Sequence, residues 1–259
     1  MTSSGKATDE RRYRAPALEK GLDILELLSS ASKPMTHAMI SQHLGRSNSE
    51  LFRMLQVLEF RGFIAQADGG GFIPTTKLFA LGMAQAPVKS ILEVALPVMR
   101  RLADDTEQSC HLALRAGGDI VIAARMESAG LIGFSVRIGY RQPMILTGSG
   151  TVLYAFQSDE VRKRWEKDFG SRPAGELKAF RALAEVVRTQ GYDKHPSRVV
   201  PGIIDLSAPV MRGDAAAAAL TMPFVNKTTQ HVDIDVALEM VIAAAATISS
   251  DLASTDVRV

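Results

Sequence analysis

Hydrophobic residues recur at helical spacing in the first third of the chain. Leucines follow one another every three or four residues after Ala17, and this helix is expected to end before Lys33-Pro34, because the residue before a proline disfavours helical backbone. Thr36 can cap a second, short helix, and Gly45 supplies a turn after it. The leucines are Leu18, Leu22, Leu25 and Leu28, and the side chains expected to face inward from the second helix are Met39, Ile40 and Leu44.

A third helix has two chemically different faces. It opens on Ser and Asn at 47–49, whose side chains can accept hydrogen bonds from first-turn amides. Its apolar face carries Leu51, Met54, Leu55 and Leu58, and its other face carries Ser49, Phe52, Arg53, Gln56 and Phe60. Two helices joined by a glycine turn predict a helix-turn-helix. The polar face suits a major groove, since Arg can fork onto guanine and Gln onto adenine.

The residues expected to contact DNA are Thr36, Arg46, Ser47, Asn48, Ser49, Phe52, Arg53 and Gln56. A hairpin should follow the third helix, because Phe63-Ile64-Ala65 and Phe72-Ile73 flank the glycine-rich turn Asp68-Gly69-Gly70-Gly71. Pro74 suits an edge strand of that hairpin. Three helices and a hairpin together predict a winged helix-turn-helix.

Farther along the chain, the hydrophobic period changes from helical to alternating. Residues 88–95 show helical spacing, and Pro97 can open another helix over 98–105, because the first helical turn tolerates proline. Strands are predicted at 110–115, 120–126, 131–138, 203–211 and 218–224, and helices at 151–156, 176–190 and 233–252. This order predicts an antiparallel sheet bracketed by helices.

Composition restricts the class of protein. The 259 residues are enough for two domains, and 46% hydrophobic with 22% charged residues is typical of a soluble globular protein. A net charge of +2 excludes a polycationic tail as the main DNA-binding device. Cys110 is the only cysteine, which excludes an internal disulfide and a cysteine-based zinc site, so a reducing, cytoplasmic location is expected.

The two ends of the chain give no sign of a membrane or a secretion signal. Residues 1–14 are polar and mildly basic, which predicts a disordered arm that is either a solvated tail or a contact to phosphate. The apolar stretch 240–248 is shorter than the roughly 20 residues that a membrane-spanning helix needs. We therefore expect no membrane partner.

Several short motifs, in this order and spacing, resemble the isocitrate lyase regulator (IclR) family of bacterial transcription factors over nearly the whole chain. They are Ala17-Leu18-Glu19-Lys20-Gly21-Leu22, Ser49 with Arg53-Met54-Leu55, Gly62-Phe63-Ile64, Lys77-Leu78-Phe79-Ala80-Leu81-Gly82, Gly139 with Pro143, Thr147-Gly148-Ser149-Gly150, 188–192, Gly202, and Ser207-Ala208-Pro209-Val210. The resemblance implies an α+β protein with an N-terminal winged helix-turn-helix, a linker helix and a C-terminal antiparallel-sheet effector domain similar to GAF and PAS folds.

The resemblance also implies domains and partners. The expected organisation is a basic arm at 1–14, a DNA-binding domain at 15–82, linker helices at 83–105, and an effector-binding and oligomerisation domain at 106–259. Expected partners are double-stranded operator DNA, a small organic or aromatic carboxylic acid, and further copies of the chain, as a homodimer or a dimer of dimers. No cofactor and no metal is expected.

The sequence departs from the family pattern at three places. Glu50 stands where the family commonly has Thr, and a carboxylate close to phosphates weakens binding unless it accepts a cytosine amino group. The second wing strand ends in Pro74-Thr75-Thr76 in place of leucine-glycine. Gly148-Ser149-Gly150-Thr151 lacks a common glycine-lysine pair, which could alter the ligand.

The turn at 147–150 precedes a predicted helix, so its amides and the helix dipole could hold a carboxylate; the alternative is a plain helix cap. Asp205 must find a hydrogen-bond donor unless it faces water at a sheet edge, and His195 either donates to a carboxylate or phenol or is solvated in a loop. The candidate effector residues, several of them given by the resemblance, are Leu131, Met144, Thr147, Gly148, Ser149, Gly150, His195, Asp205, Thr221 and Pro223, with Leu146, Met222 and Phe224 as further apolar walls.

An enzyme is the less favoured class. The chain has no glycine-x-serine-x-glycine elbow, no His-Glu-x-x-His and no phosphate loop with its lysine. Cys110 and His111 are adjacent on a predicted strand and so point to opposite faces, which excludes a catalytic pair. The two remaining hypotheses are a ligand-responsive regulator of a catabolic operon and a dimeric DNA-binding protein that binds no ligand.

Overall fold

The computed structural model describes residues 15–83, 86–128, 130, 133–228 and 232–256. These residues form two compact units that divide between Ala86 and Pro87, and each unit is described by itself. The predicted amino-terminal arm and Leu131 lie outside the described residues.

The first unit is a three-helix bundle with a two-stranded hairpin. Its elements are α1 (Pro16–Ser30), α2 (His37–Leu44), α3 (Asn48–Phe60), β1 (Ile64–Gln66), β2 (Phe72–Pro74) and α4 (Lys77–Met83). Side chains from all three bundle helices and the hairpin form one core: Ile24, Leu25, Leu28, Met35, Ile40, Leu51, Leu55 and Ile64. The predicted winged helix-turn-helix is therefore confirmed.

Two details of the first unit differ from the sequence-based expectation. Met39 was expected to face inward from α2, but its side chain is 42% exposed, because Ile40 and Leu44 already fill that face of the short helix. The leucine series of α1 is buried only in its second half, with Leu18 and Leu22 on the surface at 64% and 50% exposed. Gly45 adopts φ +60°, the left-handed conformation required by the turn between α2 and α3.

The second unit is a six-stranded sheet with helices on both faces. Its elements are α5 (Ala86–Thr106), β3 (Cys110–Ala116), β4 (Asp119–Met126), β5 (Arg141–Pro143), a 3-10 turn (Met144–Leu146), α6 (Gly148–Ala155), α7 (Asp159–Glu166), α8 (Ala174–Gln190), β6 (Asp193–Pro196), β7 (Ile203–Arg212), β8 (Ala215–Val225) and α9 (Ile234–Asp256). The strand order is β5-β4-β3-β8-β7-β6, with every neighbouring pair antiparallel. The predicted α+β class is confirmed.

Alternation along the strands separates two cores. Leu220, Met222 and Phe224 of β8 pack with α5 and α9 on one face of the sheet. The other face carries a second core with residues of α6 and α8, including Val152, Leu153, Phe180 and Val187. Thr221 and Pro223 lie between the three apolar residues of β8 and so point to this second face, where the cavity described below lies.

One helix among the described residues, α9 over 234–254, is long and apolar enough to cross a membrane by length and composition alone. This corrects the expectation drawn from the apolar stretch 240–248, because the helix that contains it is longer. The helix has one side buried against the sheet, where Ala237, Val241, Ala245 and Ile248 join the first core. That packing is typical of the core helix of a globular domain.

Four further interpretations of the second unit were wrong. Pro97 lies inside the single helix α5 and does not open a new one. The predicted strand at 131–138 is absent from its described part, residues 133–138, which is a loop whose Phe134 and Val136 line the cavity. His195 lies on strand β6, paired with Asp205 of β7, and not in a loop. Asp205 is consequently on an inner strand, half-buried, and the hypothesis of a water-facing edge position is wrong.

Candidate functional site

The start of α3 is fixed by a capping box. The carboxylate of Glu50 accepts the backbone amide of Ser47 at 3.1 Å and the Ser47 hydroxyl at 3.0 Å. Lys20 of α1 lies 3.0 Å from the other carboxylate oxygen of Glu50. Hydrogen bonding by Lys20, followed by that of the Ser47 amide, lowers the pKa of Glu50 to about 2. The first turn of α3 is therefore held to α1.

The predicted division of α3 into two faces is confirmed. Leu51 and Leu55 are buried, whereas Arg53 and Gln56 are exposed and Phe52 is 51% exposed. Of the other candidate DNA contacts, Thr36, Ser47, Asn48 and Ser49 are also exposed, while Arg46 is half-buried with its guanidinium 3.5 Å from Asp23. The exposed face of α3 continues through two apolar residues, Val57 and Phe60.

The hairpin is attached to the end of α3 through Thr75, which lies in a run that departs from the family pattern, and through Lys77. The Thr75 hydroxyl donates to the carbonyl of Gly62 at 2.6 Å, and the Thr75 amide donates to the carbonyl of Phe63 at 2.9 Å. The Lys77 ammonium donates to the Arg61 carbonyl and lies 4.9 Å from the centre of the Phe63 ring. Thr75 and Lys77 thus fix the wing to the segment that follows α3.

The second unit contains a cavity of about 60 Å³ between the sheet and the start of α6, with room for roughly four to six water molecules. Its walls are mixed: aliphatic and aromatic side chains alternate with hydroxyls, one amide, one imidazole and one carboxyl group. The lining residues are His111, Ile120, Ile122, Phe134, Val136, Tyr140, Gln142, Thr147, Gly148, Ser149, Ser197, Val199, Val200, Asp205, Thr221 and Pro223. Such a mixture of apolar walls and a few polar groups is typical of small-molecule sites.

A row of polar side chains crosses the sheet beneath this cavity. The register pairs His111 with Thr221, Thr221 with Ser207, and Ser207 with Asp193, on four neighbouring strands. The Thr221 hydroxyl lies 2.8 Å from the Ser207 hydroxyl and 2.8 Å from the Ser149 hydroxyl of α6. Thr221 therefore joins the first turn of α6 to the middle of the sheet.

The start of α6 is capped by its own chain and packed closely. The Thr147 hydroxyl accepts the Gly150 amide at 3.0 Å, so the plain helix cap is present. A Cβ atom on Gly148 would lie 2.5 Å from the carboxylate of Asp193, and one on Gly150 would lie 2.1 Å from the carbonyl oxygen of Met144. The two glycines are therefore required by close neighbours, and only Gly148 borders the cavity.

A smaller cleft of about 10 Å³ adjoins the cavity and shares Thr147, Gly148 and Asp205 with it. His195 lines this cleft, where its Nδ1 contacts the buried carboxylate of Asp193. Arg198 also lines it and donates to the carbonyl of Ile145 at 2.9 Å. The cleft thus supplies a cation close to the start of α6, which the cavity walls themselves lack among the described residues.

Burial raises the pKa values of the two carboxyl groups near α6. Desolvation is the largest cause for both Asp193 and Asp205, and the charge of Asp193 raises the pKa of Asp205 further. The charge of His195 opposes the rise at Asp193, and a hydrogen bond from Ser197 opposes it at Asp205. A negative charge entering the cavity would therefore favour protonation of these groups.

Several candidate effector residues do not line the cavity. Met144 and Leu146 contribute to the second core, Gly150 packs on the Met144 backbone, and Met222 and Phe224 point to the opposite face of the sheet. The candidates that do border the cavity are Thr147, Gly148, Ser149, Asp205, Thr221 and Pro223, and His195 borders only the smaller cleft. The prediction that Met222 and Phe224 line the effector site was wrong, because residues adjacent on a strand point to opposite faces of the sheet.

Sequence reasoning missed other residues that the structure brings to the cavity. His111 was considered only as a partner of Cys110, although the same alternation that separates the two places His111 on the face of Thr221. Loops and the edge strand β5, which have no periodic hydrophobic pattern, contribute four further lining residues: Tyr140, Gln142, Val199 and Val200. Cys110 is buried in the opposite core, where desolvation raises its pKa to about 12 and keeps the thiol protonated.

The described part of the chain contains no group of three or more metal-ligating side chains. A winged helix-turn-helix followed by an α+β unit with a polar cavity places this protein in the class of two-domain helix-turn-helix proteins with a sensor-like second domain. The chain belongs to the IclR family of bacterial transcriptional regulators. Residues 84–250 match the family described as "Bacterial transcriptional regulator IclR C-terminal", and residues 17–68 match the IclR helix-turn-helix domain.

Curated relatives are named transcriptional regulators, not enzymes. The HTH-type transcriptional repressor AllR of Escherichia coli K12 is 29% identical over 159 residues, which are 61% of this chain and 59% of AllR. The chain thus matches only about three fifths of the length of AllR. The HTH-type transcriptional regulator KdgR of the same strain is 27% identical over 224 residues, covering 84% of this chain and 85% of KdgR.

Solved structures share the fold over almost the whole chain. An IclR homologue from Microbacterium hydrocarbonoxydans, solved in complex with 4-hydroxybenzoate, has a TM-score of 0.77 at 19% identity and covers 92% of this chain and 99% of its own. HmgR of Pseudomonas aeruginosa has a TM-score of 0.71 at 22% identity, covering 91% of this chain and 98% of its own. At these identities the likeness establishes the fold alone.

Proposed function

We propose that this protein is a ligand-responsive, DNA-binding transcriptional regulator of a catabolic operon, which senses a small organic or aromatic acid through its second unit. The observation that carries the DNA-binding part is the exposed face of α3, where Arg53 and Gln56 face solvent while Leu51 and Leu55 anchor the helix. Arg and Gln on a capped helix are the side chains that read guanine and adenine edges in a major groove.

The proposed DNA contacts combine base reading with phosphate binding. Arg53 and Gln56 are assigned to base edges because they lie on the exposed face of the helix. Ser49, on the same face, is assigned to either a base edge or a phosphate. The surrounding contacts to the DNA backbone are assigned to Thr36, Arg46, Ser47, Asn48 and Phe52. Two copies of α3 would be needed for a near-palindromic operator, which supports a homodimer or a dimer of dimers as the binding species.

The proposed effector site is the cavity beside α6. Its apolar walls suit a ring or a short carbon chain, and the amides and dipole at the start of α6 suit a carboxylate. Arg198 in the adjoining cleft provides a formal positive charge, and the raised pKa values of Asp193 and Asp205 allow these groups to take up protons when an acid enters. The 4-hydroxybenzoate bound by the Microbacterium homologue belongs to the proposed class of small aromatic acids.

The proposed coupling runs through the sequence that joins the two units. A ligand changes operator affinity only if it binds two arrangements of the protein with different affinity. Helix α5 begins where the two units divide, so a change at the cavity has a short covalent route to the spacing of the two recognition helices. This proposal requires an acid to change operator affinity.

The test measures DNA binding and effector response together. Intergenic DNA flanking the gene would be labelled, and binding followed by fluorescence anisotropy at two salt concentrations, without and with each acid of a panel. We expect specific binding that weakens with salt and that at least one acid changes. Binding no stronger than to a scrambled duplex would contradict the DNA-binding proposal. Specific binding with no acid effect and no acid-induced rise in melting temperature would favour the DNA-binding protein that senses no ligand.

A further inference from the structure

A buried histidine on the wall of the cavity has an unsatisfied nitrogen. His111 is only 6% exposed, and no described residue hydrogen-bonds to its Nδ1. A buried polar atom without a partner costs free energy unless water or a ligand satisfies it. Part of the His111 ring borders the cavity, while Nδ1 itself is shielded from solvent, so a group in the cavity reaches Nδ1 after a rotation of the ring.

The cross-strand neighbours of His111 do not hydrogen-bond to its Nδ1. Thr221, its partner on β8, uses its hydroxyl with Ser149 and Ser207. Arg125, its partner on β4, holds the carboxylate of Glu127 at 2.9 Å. The polar groups on both sides of the imidazole are thus engaged elsewhere.

The protonation state of the imidazole determines which ligand group it can best hydrogen-bond. Desolvation lowers the pKa of His111 to about 4, so the ring is neutral at physiological pH. A neutral imidazole has one N–H donor and one lone-pair acceptor, as a hydroxyl group has. A carboxylate only accepts, and it would match a charged ring better than a neutral one.

We infer that His111 is an effector-contacting residue that receives an uncharged hydroxyl group, so that the effector is a hydroxylated acid and not a plain one. This inference rests on the proposed function, because it assumes that an acid occupies the cavity. In this arrangement the carboxylate lies at the start of α6, on the side of Arg198, and the hydroxyl group lies against the imidazole. His111 would thus determine specificity within the class of small acids.

The test compares matched acids that differ by one hydroxyl group. Titration calorimetry of the full chain would use benzoate with 4-hydroxybenzoate, phenylacetate with 4-hydroxyphenylacetate, and propionate with lactate. For the pair that binds, we expect the wild type to prefer the hydroxylated member at least roughly tenfold. His111→Phe keeps a planar ring without nitrogens and should abolish the preference, and His111→Asn, which keeps a donor and an acceptor, should retain part of it.

A control variant separates loss of folding from loss of recognition. Cys110→Ala changes the adjacent residue, which is also buried but faces the opposite core, and it should lower the melting temperature without changing the preference. Nitrogen-15 spectra of histidine-labelled wild type give a second readout, since the chain has five histidines. The hydroxylated acid should shift the His111 signals, assigned from the His111→Asn spectrum, and its unhydroxylated partner should not.

The outcomes separate this inference from the proposed function. If acids bind but the preference and the His111 signals are unchanged by the substitution and by the hydroxyl group, the inference is overturned and acid sensing stands. If no acid of the panel binds to the wild type, acid sensing fails and the inference fails with it. If His111→Phe does not fold, the calorimetry of His111→Asn and the wild-type spectra decide.

Discussion

Glu50 and Lys20 form an ion pair between the third and first helices, with Lys20 Nζ 3.0 Å from Glu50 Oε1. The same carboxylate closes the capping box on Ser47. An acidic residue in the first turn of a DNA-reading helix would ordinarily repel phosphate. Because an ammonium group lies beside it, the local charge is largely offset, and Glu50 contributes to the attachment of α3.

Replacing Glu50 with Gln should destabilise the first unit in a pH-dependent way. The pKa of Glu50 is about 2 in the folded protein and about 4.3 in an unfolded chain, so its ionised form stabilises the fold. That contribution is fully present above the unfolded pKa and is lost as pH falls toward 2. Thermal melts should show a constant gap between wild type and Glu50→Gln from pH 8 to about 5, and a shrinking gap below about 4.5.

The matched control for Glu50 is Glu26→Gln on the exposed side of α1. It removes the same charge without touching the cap and should leave the melting temperature nearly unchanged at every pH. An equal gap for Glu50→Gln at pH 7 and at pH 3 would show that the carboxylate is not what holds the helices together.

Arg53→Ala should weaken operator binding by about 1–3 kcal/mol if the guanidinium reads a base, and should reduce the salt slope by about one if it contacts phosphate. Arg53 is exposed on the face of α3 opposite the buried Leu51 and Leu55, so its loss should not unfold the helix. Lys178→Ala, on an exposed position of α8, removes one charge from the other unit and serves as the control. An operator affinity equal to that of wild type at two salt concentrations would exclude Arg53 from the interface.

The sequence predicted the fold correctly where the spacing of apolar residues follows from which side chains are buried. The two faces of α3 and the alternation of β8 follow directly from which side chains are apolar. The sequence failed where burial had another cause. Phe134 and Val136 alternate with polar residues as in a strand, but they lie on a loop that lines the cavity. Pro97 was placed at a helix start although α5 continues through it.

The candidate site was predicted only in part, for a related physical reason. Residues at the start of α6 have a local signal, a glycine-rich turn before a helix, and Thr147 and Gly148 do border the cavity. His111 has no such signal, because its role depends on pairing with a strand about 110 positions later in the chain, which places it beside Thr221. Asp193 is likewise a polar residue whose burial against Gly148 results from packing alone.

Thr221→Val should destabilise the second unit. Valine has nearly the same shape as threonine, but it removes the hydroxyl that lies 2.8 Å from both Ser149 and Ser207. Leaving buried hydroxyls short of a partner should cost about 1–3 kcal/mol, measured by urea unfolding. Thr189→Val, on an exposed position of α8, is the control and should cost much less. A Thr221→Val protein as stable as the control would mean that the hydroxyl row does not anchor α6.

Gly150→Ala should destabilise the protein although alanine favours helices. Its Cβ would lie 2.1 Å from the carbonyl oxygen of Met144, which is backbone and cannot move aside freely. We expect a loss of at least about 1–3 kcal/mol from overpacking. Gly175→Ala in the first turn of α8 is the control, since nothing lies within 4 Å of its Cβ, and it should change the free energy of unfolding by less than about 0.5 kcal/mol. Equal stabilities of the two variants would contradict the close packing at the start of α6.

The buried, neutral imidazole of His111 should make the second unit less stable as pH falls from 6.5 to 4. In that range an unfolded chain protonates the histidine, whereas burial holds its pKa near 4 in the folded protein. The folded state therefore binds fewer protons, and wild type should lose up to about 3 kcal/mol relative to His111→Phe between pH 7 and pH 4. Asp193 and Asp205 are present in both proteins, so their titration largely cancels in the difference. Urea unfolding of both proteins at pH 7, 5.5 and 4.5 measures it, with Cys110→Ala as the variant expected to track wild type. A difference that stays constant across this range would show that the ring is protonated, or hydrated, inside the fold.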